Sequence, residues 1–177
     1  VAGGVLSRSA EATGGGWVFT ALAAAFAASG ISALIDQTVW QRMLGIFAGS
    51  DTVTAAIVVG AFLLGLGLGS LLAGSFADRL GPSRAALAFA TCEVGIGLFA
   101  LLSKPFLYDL VALQLGPLVT HRVVVFLVCF AGLLLPTLLM GCSLPLLARA
   151  AVTGVQGAAR RIGLLYGLNT AGAGLGA

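Results

Sequence analysis

Long uncharged apolar stretches alternate with short polar segments along this chain of 177 residues. A helix needs about 20 predominantly apolar residues to cross a bilayer. Four stretches reach that length, whereas a fifth is shorter and stops where the chain stops. The pattern predicts an all-α, multi-pass transmembrane helical bundle with spans at about residues 17–35, 52–77, 85–103, 123–148 and 162–177, the last of them incomplete.

Composition points to the same class of protein. The chain is 59% hydrophobic and 8% charged, with a net charge of +3, whereas a soluble domain carries about 25% charged residues. So few charges exclude a soluble globular enzyme, a disordered chain and a nucleic-acid binder that uses a basic face. The expected solvent is therefore the lipid bilayer.

The two ends of the chain lead to three further expectations. Residues 1–16 form a polar, glycine-bearing leader that we expect to be flexible. The first span is longer than the apolar part of a signal peptide, about 7–15 residues, and is therefore predicted to stay as a membrane anchor. Because there is no initiating Met and the fifth span is short, we expect a fragment or a processed chain.

Basic residues in the loops predict the orientation, since cytoplasmic loops carry an excess of Lys and Arg. A cytoplasmic N-terminus in the cell (inner) membrane places more basic residues inside than outside. The inner set is Arg8, Arg79, Arg84, Arg149, Arg160 and Arg161, and the outer set is Arg42, Lys104 and Arg122.

The segment between the second and third spans has a regular pattern: a glycine, three residues, Asp-Arg, any residue, a second glycine, and a basic residue nearby. The first glycine would let a neighbouring helix approach closely, and Gly81-Pro82 would break the chain for a turn. A short charged turn that serves only orientation is the alternative. The pattern resembles the loop signature of the major facilitator superfamily and suggests part of a facilitator-like half; its residues are Gly74, Asp78, Arg79, Gly81 and Arg84.

A narrower resemblance covers about four-fifths of the chain. Several blocks, in order, resemble membrane-bound spermidine synthase-like proteins, in which a facilitator-like helical region is followed by a soluble aminopropyltransferase domain. Asp36 departs from that pattern, and the chain ends before any catalytic domain. The blocks are residues 29–35, 39–42, 62–70, 93–102, 140–147 and 166–172.

Glu93 is the main candidate for ligand binding. It lies about 13 Å of helix rise from either end of its span, where an ionised carboxylate is costly without a polar cavity or a cationic partner. We consider a cation or proton site, with a polyamine as the ligand that the resemblance implies. The alternative is a hydrogen-bonded glutamate that joins two helices. Tyr166 and Asn169, one turn apart, would line a polar path or, more simply, hydrogen-bond across helices.

Small residues repeat every four positions on two spans and predict close helix packing. They are Gly65, Gly69 and Ala73 on the second span, and Gly163, Gly167 and Ala171 on the fifth.

Two prolines on the fourth span, Pro136 and Pro145, are expected to kink or end that helix. The three cysteines have no metal-ligand spacing and are expected to pack as small apolar residues. We therefore predict no metal and no cofactor.

The chain contains no nucleophile, base and acid set, so no catalytic residue is assigned and enzymatic activity stays undetermined. Our first hypothesis is a membrane domain that anchors or supplies an aminopropyltransferase domain, or that handles a cationic small molecule. The alternative is a non-catalytic accessory subunit that docks onto a larger membrane complex. The expected partners are lipid, other transmembrane helices and, under the first hypothesis, a polyamine, but no nucleic acid.

Overall fold

A computed structural model describes residues 2–49, 52–118, 121–152 and 156–177 of the chain. The described residues are almost wholly helical and contain no strand, which confirms the predicted all-α class. The side chains of residues 1–15, Thr54 and Arg122 lie outside the described part. The flexibility of the leader, residues 1–16, therefore stays a prediction. The helices are α1 (Ala2–Ala48), α2 (Thr52–Ala77), α3 (Pro82–Ser103), α4 (Arg122–Ala151) and α5 (Ala158–Gly176).

The chain leaves α3 without a loop. It continues as a wider π-type helix, Lys104–Leu115, here named the π segment, and then as a short 3-10 turn, Gly116–Leu118. The region that we expected to be a loop between the third and fourth spans is therefore mostly helical.

Four of the described helical stretches are long and apolar enough to cross a membrane by length and composition, which confirms a multi-pass membrane protein. Helix α5 is not among them. The four stretches are Gly16–Ala48, Ala55–Ala77, Pro82–Leu118 and Val123–Ala151.

Helix α1 continues beyond the predicted first span. The stretch Gly16–Ala48 contains 33 residues, about 50 Å at 1.5 Å per residue, whereas the hydrocarbon core is about 30 Å thick. The predicted first span ended at residue 35 because the charged Asp36 follows it. A charged side chain does not interrupt backbone hydrogen bonds, however, and the helix runs on to Ala48, after which Gly49 adopts a φ of 92°.

Helix α4 lies between α2 and α3. It packs against α2 and α3, and it also contacts α1, while α1 packs chiefly against α5. Residues 65 and 69 of α2 meet residues 137 and 141 of α4, so these two helices run parallel. By the same reasoning α1 and α5 are parallel, since Ala27 meets Gly172 and Ile31 meets Gly176.

The backbones of α2 and α4 touch. A Cβ added at Gly69 would overlap the carbonyl oxygen of Leu138, and one added at Gly141 would overlap the carbonyl oxygen of Leu66. The thiol of Cys142 also donates to the carbonyl of Gly69, at 3.3 Å. Small residues permit such an approach, and van der Waals contact then holds the helices together in a solvent as apolar as their side chains.

Buried apolar side chains form two clusters, one at each end of the bundle. Each contains an edge-to-face aromatic pair, Trp40 with Phe99 at 5.2 Å between centroids and Phe26 with Phe89 at 6.1 Å. The Trp40 cluster includes Leu44, Val58, Leu107 and Leu133. The Phe89 cluster includes Ala23, Ala73, Cys92, Leu147 and Leu165.

The outer faces of the helices carry mainly apolar side chains. On α3, Leu87, Val94 and Leu101 recur every seven residues on one face and are 69%, 62% and 78% exposed. An apolar surface that continuous marks contact with lipid or with other proteins rather than with water. Inside, the buried side chains of Ser103, Thr137 and Ser143 all have hydrogen-bond partners.

Helix α4 ends at neither proline and runs on to Ala151, so of the two expected effects only a kink stays a prediction. A proline ring presses on the carbonyl four residues earlier. Those residues are Gly132 and Gly141, whose backbone is the most adaptable. Beside Pro136, the Thr137 hydroxyl donates to the carbonyl of Leu133 at 2.7 Å.

We predict that Gly69→Ala destabilises the bundle by about 1–3 kcal/mol, the usual cost of overpacking. The added methyl group meets backbone on α4, which cannot turn aside as a flexible side chain would. Thermal unfolding in detergent, followed by circular dichroism, measures the effect. Gly67→Ala is the matched control because its Cβ would meet open space on the same helix. Equal midpoints for the two variants would contradict the packing described here.

Candidate functional site

The candidate site is centred on Glu93 of α3, which faces α4. Its Oε1 accepts a hydrogen bond from the Ser143 hydroxyl at 2.9 Å. Ser143 is buried, and its oxygen also lies 3.3 Å from the carbonyl of Leu139, one turn earlier on α4. The hydrogen bond therefore joins two antiparallel helices within the membrane-spanning part of the bundle.

The second carboxylate oxygen of Glu93 has no bonded partner among the residues that the structure describes. The residue is half-buried, and no described Lys or Arg forms an ion pair with it. One oxygen is thus held in place, and the other is free to accept a proton or a cation. The first feature suits a glutamate that joins helices, and the second suits a cation site.

Glu93 stands beside a thin polar layer on α4. Within seven residues, Thr137, Cys142 and Ser143 direct their hydroxyl or thiol groups to partners on α2, α3 and α4. All three are small, so they satisfy polar groups without separating the helices. Sequence reasoning missed these three residues, although their spacing on one apolar helix was a usable signal.

Tyr166 and Asn169 do not join this site. Tyr166 is 59% exposed on α5, and Asn169 packs against Gly30 of α1. No hydrogen bond between described residues links either of them to Glu93. The reason is topological, since α5 packs on α1 whereas Glu93 faces α4.

The loop-signature residues form an exposed turn. The amides of Arg79 and Leu80 donate to the carbonyls of Phe76 and Ala77, both at 3.0 Å. Asp78, Arg79 and Arg84 are exposed, and among the described residues none of them forms an ion pair.

Neither glycine of this signature has an evident steric role. Helix α3 begins directly after Gly81, whose φ of −71° any residue can adopt. A Cβ at Gly74 would meet nothing within 4 Å, so no helix approaches closely there.

The two stripes of small residues differ in what they contact. Gly65 and Gly69 lie against α4, and Ala73 is fully buried. Gly163 and Gly167, however, face open space. The close approaches of α5 are at Gly172 and Gly176 instead, which point about 180° away from that stripe at 3.6 residues per turn.

Arg161 makes a contact that the sequence did not suggest. Its Nη1 donates to the carbonyl of Ala151 at the end of α4, at 3.0 Å, and its guanidinium lies 5.4 Å from the ring centroid of Phe19. A cation is favourable at a helix C-terminus and over an aromatic face. Arg161 thereby holds the start of α5 against α4 and α1.

No group of three or more His, Cys, Asp or Glu side chains that could hold a metal occurs among the described residues. Comparisons with protein-family models, with curated proteins and with solved structures found no match to this chain.

We predict that Ser143→Ala lowers the free energy of unfolding by about 1–3 kcal/mol, because Oε1 of Glu93 loses its hydrogen-bond donor. Chemical unfolding in detergent measures the change. Ser75→Ala is the matched control, since the Ser75 hydroxyl is exposed and bonds only to Leu72 of its own helix. A loss no larger than that of the control would show that the hydrogen bond contributes nothing.

Proposed function

We propose that this chain is a facilitator-like helical membrane domain, similar to that of membrane-bound spermidine synthase-like proteins. In this proposal it anchors an aminopropyltransferase domain or supplies it with substrate, or it handles a cationic small molecule itself. The sequence blocks and the loop pattern between α2 and α3 support the relationship. The single observation that carries the ligand class is the Glu93 carboxylate in the middle of a membrane-spanning helix.

A cationic ligand would neutralise an ionised Glu93 carboxylate. An ionised carboxylate inside a bilayer needs a compensating positive charge, and no described Lys or Arg supplies one. A primary ammonium group of a polyamine would supply it and donate a charge-assisted hydrogen bond to the free oxygen. The hydrogen bond from Ser143 orients the carboxylate for that contact.

A second candidate function is that of an accessory subunit in a larger membrane complex. The open face of α5 favours it, because Gly163 and Gly167 meet nothing there and Tyr166 is 59% exposed. A transmembrane helix of a partner would find a surface at which backbones can approach closely. Stoichiometric co-purification with such a complex, without bound polyamine, would favour this function over the first.

We further propose that the N-terminus is cytoplasmic and that the membrane is the cell (inner) membrane. A membrane-impermeant thiol reagent applied to intact cells should then label Lys104→Cys and leave Arg84→Cys unlabelled, because the two positions lie at opposite ends of α3. Native Cys92 and Cys129 are buried, and the half-buried Cys142 bonds to the backbone of α2, so the variant Cys142→Ala serves as the background for labelling. The reverse labelling pattern would show that the N-terminus lies outside the cytoplasm.

We predict that Glu93→Gln weakens spermidine binding by about tenfold or more, since a hydrogen bond to a charged group contributes about 1.5–3 kcal/mol. Titration of radiolabelled spermidine into the detergent-solubilised protein measures the affinity. Asp78→Asn is the control, because it removes an exposed carboxylate at the membrane surface. Unchanged affinity in Glu93→Gln, or no binding to the unaltered chain, would refute the polyamine proposal.

A further inference from the structure

An apolar groove separates the last third of α1 from the start of the π segment. Val39, Arg42, Met43 and Ile46 line one side, and Lys104 and Tyr108 line the other, around a volume of about 310 Å³. The wall of the groove is almost entirely carbon. Arg42 and Lys104 thus contribute their aliphatic stems to the wall, which leaves their charged ends available at its rim.

The separation of Arg84 and Lys104 along α3 gives the distance of this groove from the α2–α3 turn. Twenty residues separate Arg84, in the first turn of α3, from Lys104. At 1.5 Å per residue they span about 30 Å, which is the thickness of the hydrocarbon core. With the cations of the α2–α3 turn at one membrane surface, Lys104 and the facing part of α1 lie about one hydrocarbon thickness away, from which their long side chains can extend to the phosphate groups of the opposite leaflet.

Arg42 has no carboxylate partner in the described part of the chain. Asp36 is six positions away from Arg42 on the same helix, about 240° around its axis, and no ion pair joins the two residues.

Lys104 does have a partner, but a weakly held one. Its ammonium lies 3.4 Å from Asp109, and the two side chains are 70% and 42% exposed. It also lies 5.9 Å from the centre of the Tyr108 ring. Exposed pairs of this kind contribute little, so a phosphate can replace Asp109 as the partner of Lys104.

We propose that this groove binds an anionic phospholipid of the surrounding bilayer. The lipid phosphate lies between the guanidinium of Arg42 and the ammonium of Lys104, and one acyl chain follows the carbon wall along Val39 and Met43. A zwitterionic headgroup brings its own ammonium towards these two cations, so a negatively charged headgroup binds more tightly. This site is independent of Glu93 and of the proposed function.

Native mass spectrometry of the whole chain in detergent tests the proposal. Phosphatidylglycerol and phosphatidylcholine are titrated separately, and the dissociation constant of the first bound lipid is measured. We expect tighter binding of phosphatidylglycerol, and a loss of about fivefold for each cation removed in Arg42→Gln and Lys104→Gln. Both side chains are exposed, so these variants should fold as the unaltered chain does.

Two further variants separate charge from shape. Arg79→Gln with Arg84→Gln removes two exposed cations at the opposite end of the helices, and should leave the first dissociation constant unchanged. Val39→Trp fills the carbon wall without altering charge, and should weaken the binding of both lipids.

Three results would overturn the proposal. One is equal affinity of the unaltered chain for the two lipids. Another is an unchanged preference in the Arg42 and Lys104 double variant. The third is displacement of the lipid by millimolar inorganic phosphate, which would show that free phosphate, not the lipid, is the occupant.

Discussion

The whole structure depends on the replacement of water by hydrocarbon around the helices. Leu87, Val94 and Leu101 show that the outer faces are as apolar as a protein core. In such a solvent each backbone polar group must be satisfied within its own helix, and burial of apolar side chains gives little net attraction between helices. The helices are held instead by direct backbone contact at small residues and by a few hydrogen bonds between side chains.

Helix α4 combines these two kinds of contact. Its Gly141 touches the backbone of α2, while its Ser143, two residues later, donates to Glu93 on α3. The same short stretch therefore sets the spacing of one helix pair and satisfies the carboxylate on another helix. A change in the α2–α4 spacing would move Ser143 with the backbone of α4, which couples the packing of the bundle to the polar site.

The ends of the apolar stretches predicted most of the fold, because a charged residue rarely lies in hydrocarbon. The same rule failed at Asp36, where a single carboxylate near the membrane surface was taken as the end of a helix that runs on to Ala48. It also could not show which face of α5 is packed. Gly163-xxx-Gly167 and Gly172-xxx-Gly176 have the same spacing, and only the position of α1 distinguishes them.

The candidate site was predictable only as a position. A carboxylate in the middle of an apolar span identified Glu93, but its partner Ser143 is 50 residues away in sequence, and nothing local indicates the pairing. Tyr166 and Asn169 were expected near a polar path because of their residue types. They lie elsewhere because α5 packs on α1, and that is a property of the tertiary arrangement.

The most direct test of the bilayer as solvent uses spin labels along the exposed face of α3. Labels at Leu87→Cys, Val94→Cys and Leu101→Cys, in protein reconstituted into lipid vesicles, would be compared for collisions with oxygen, which dissolves in hydrocarbon, and with a water-soluble nickel complex. The account predicts the highest oxygen accessibility and the lowest nickel accessibility at Val94, the middle of the three. Nickel accessibility at Val94 as high as at Ser83, in the exposed first turn of α3, would contradict it.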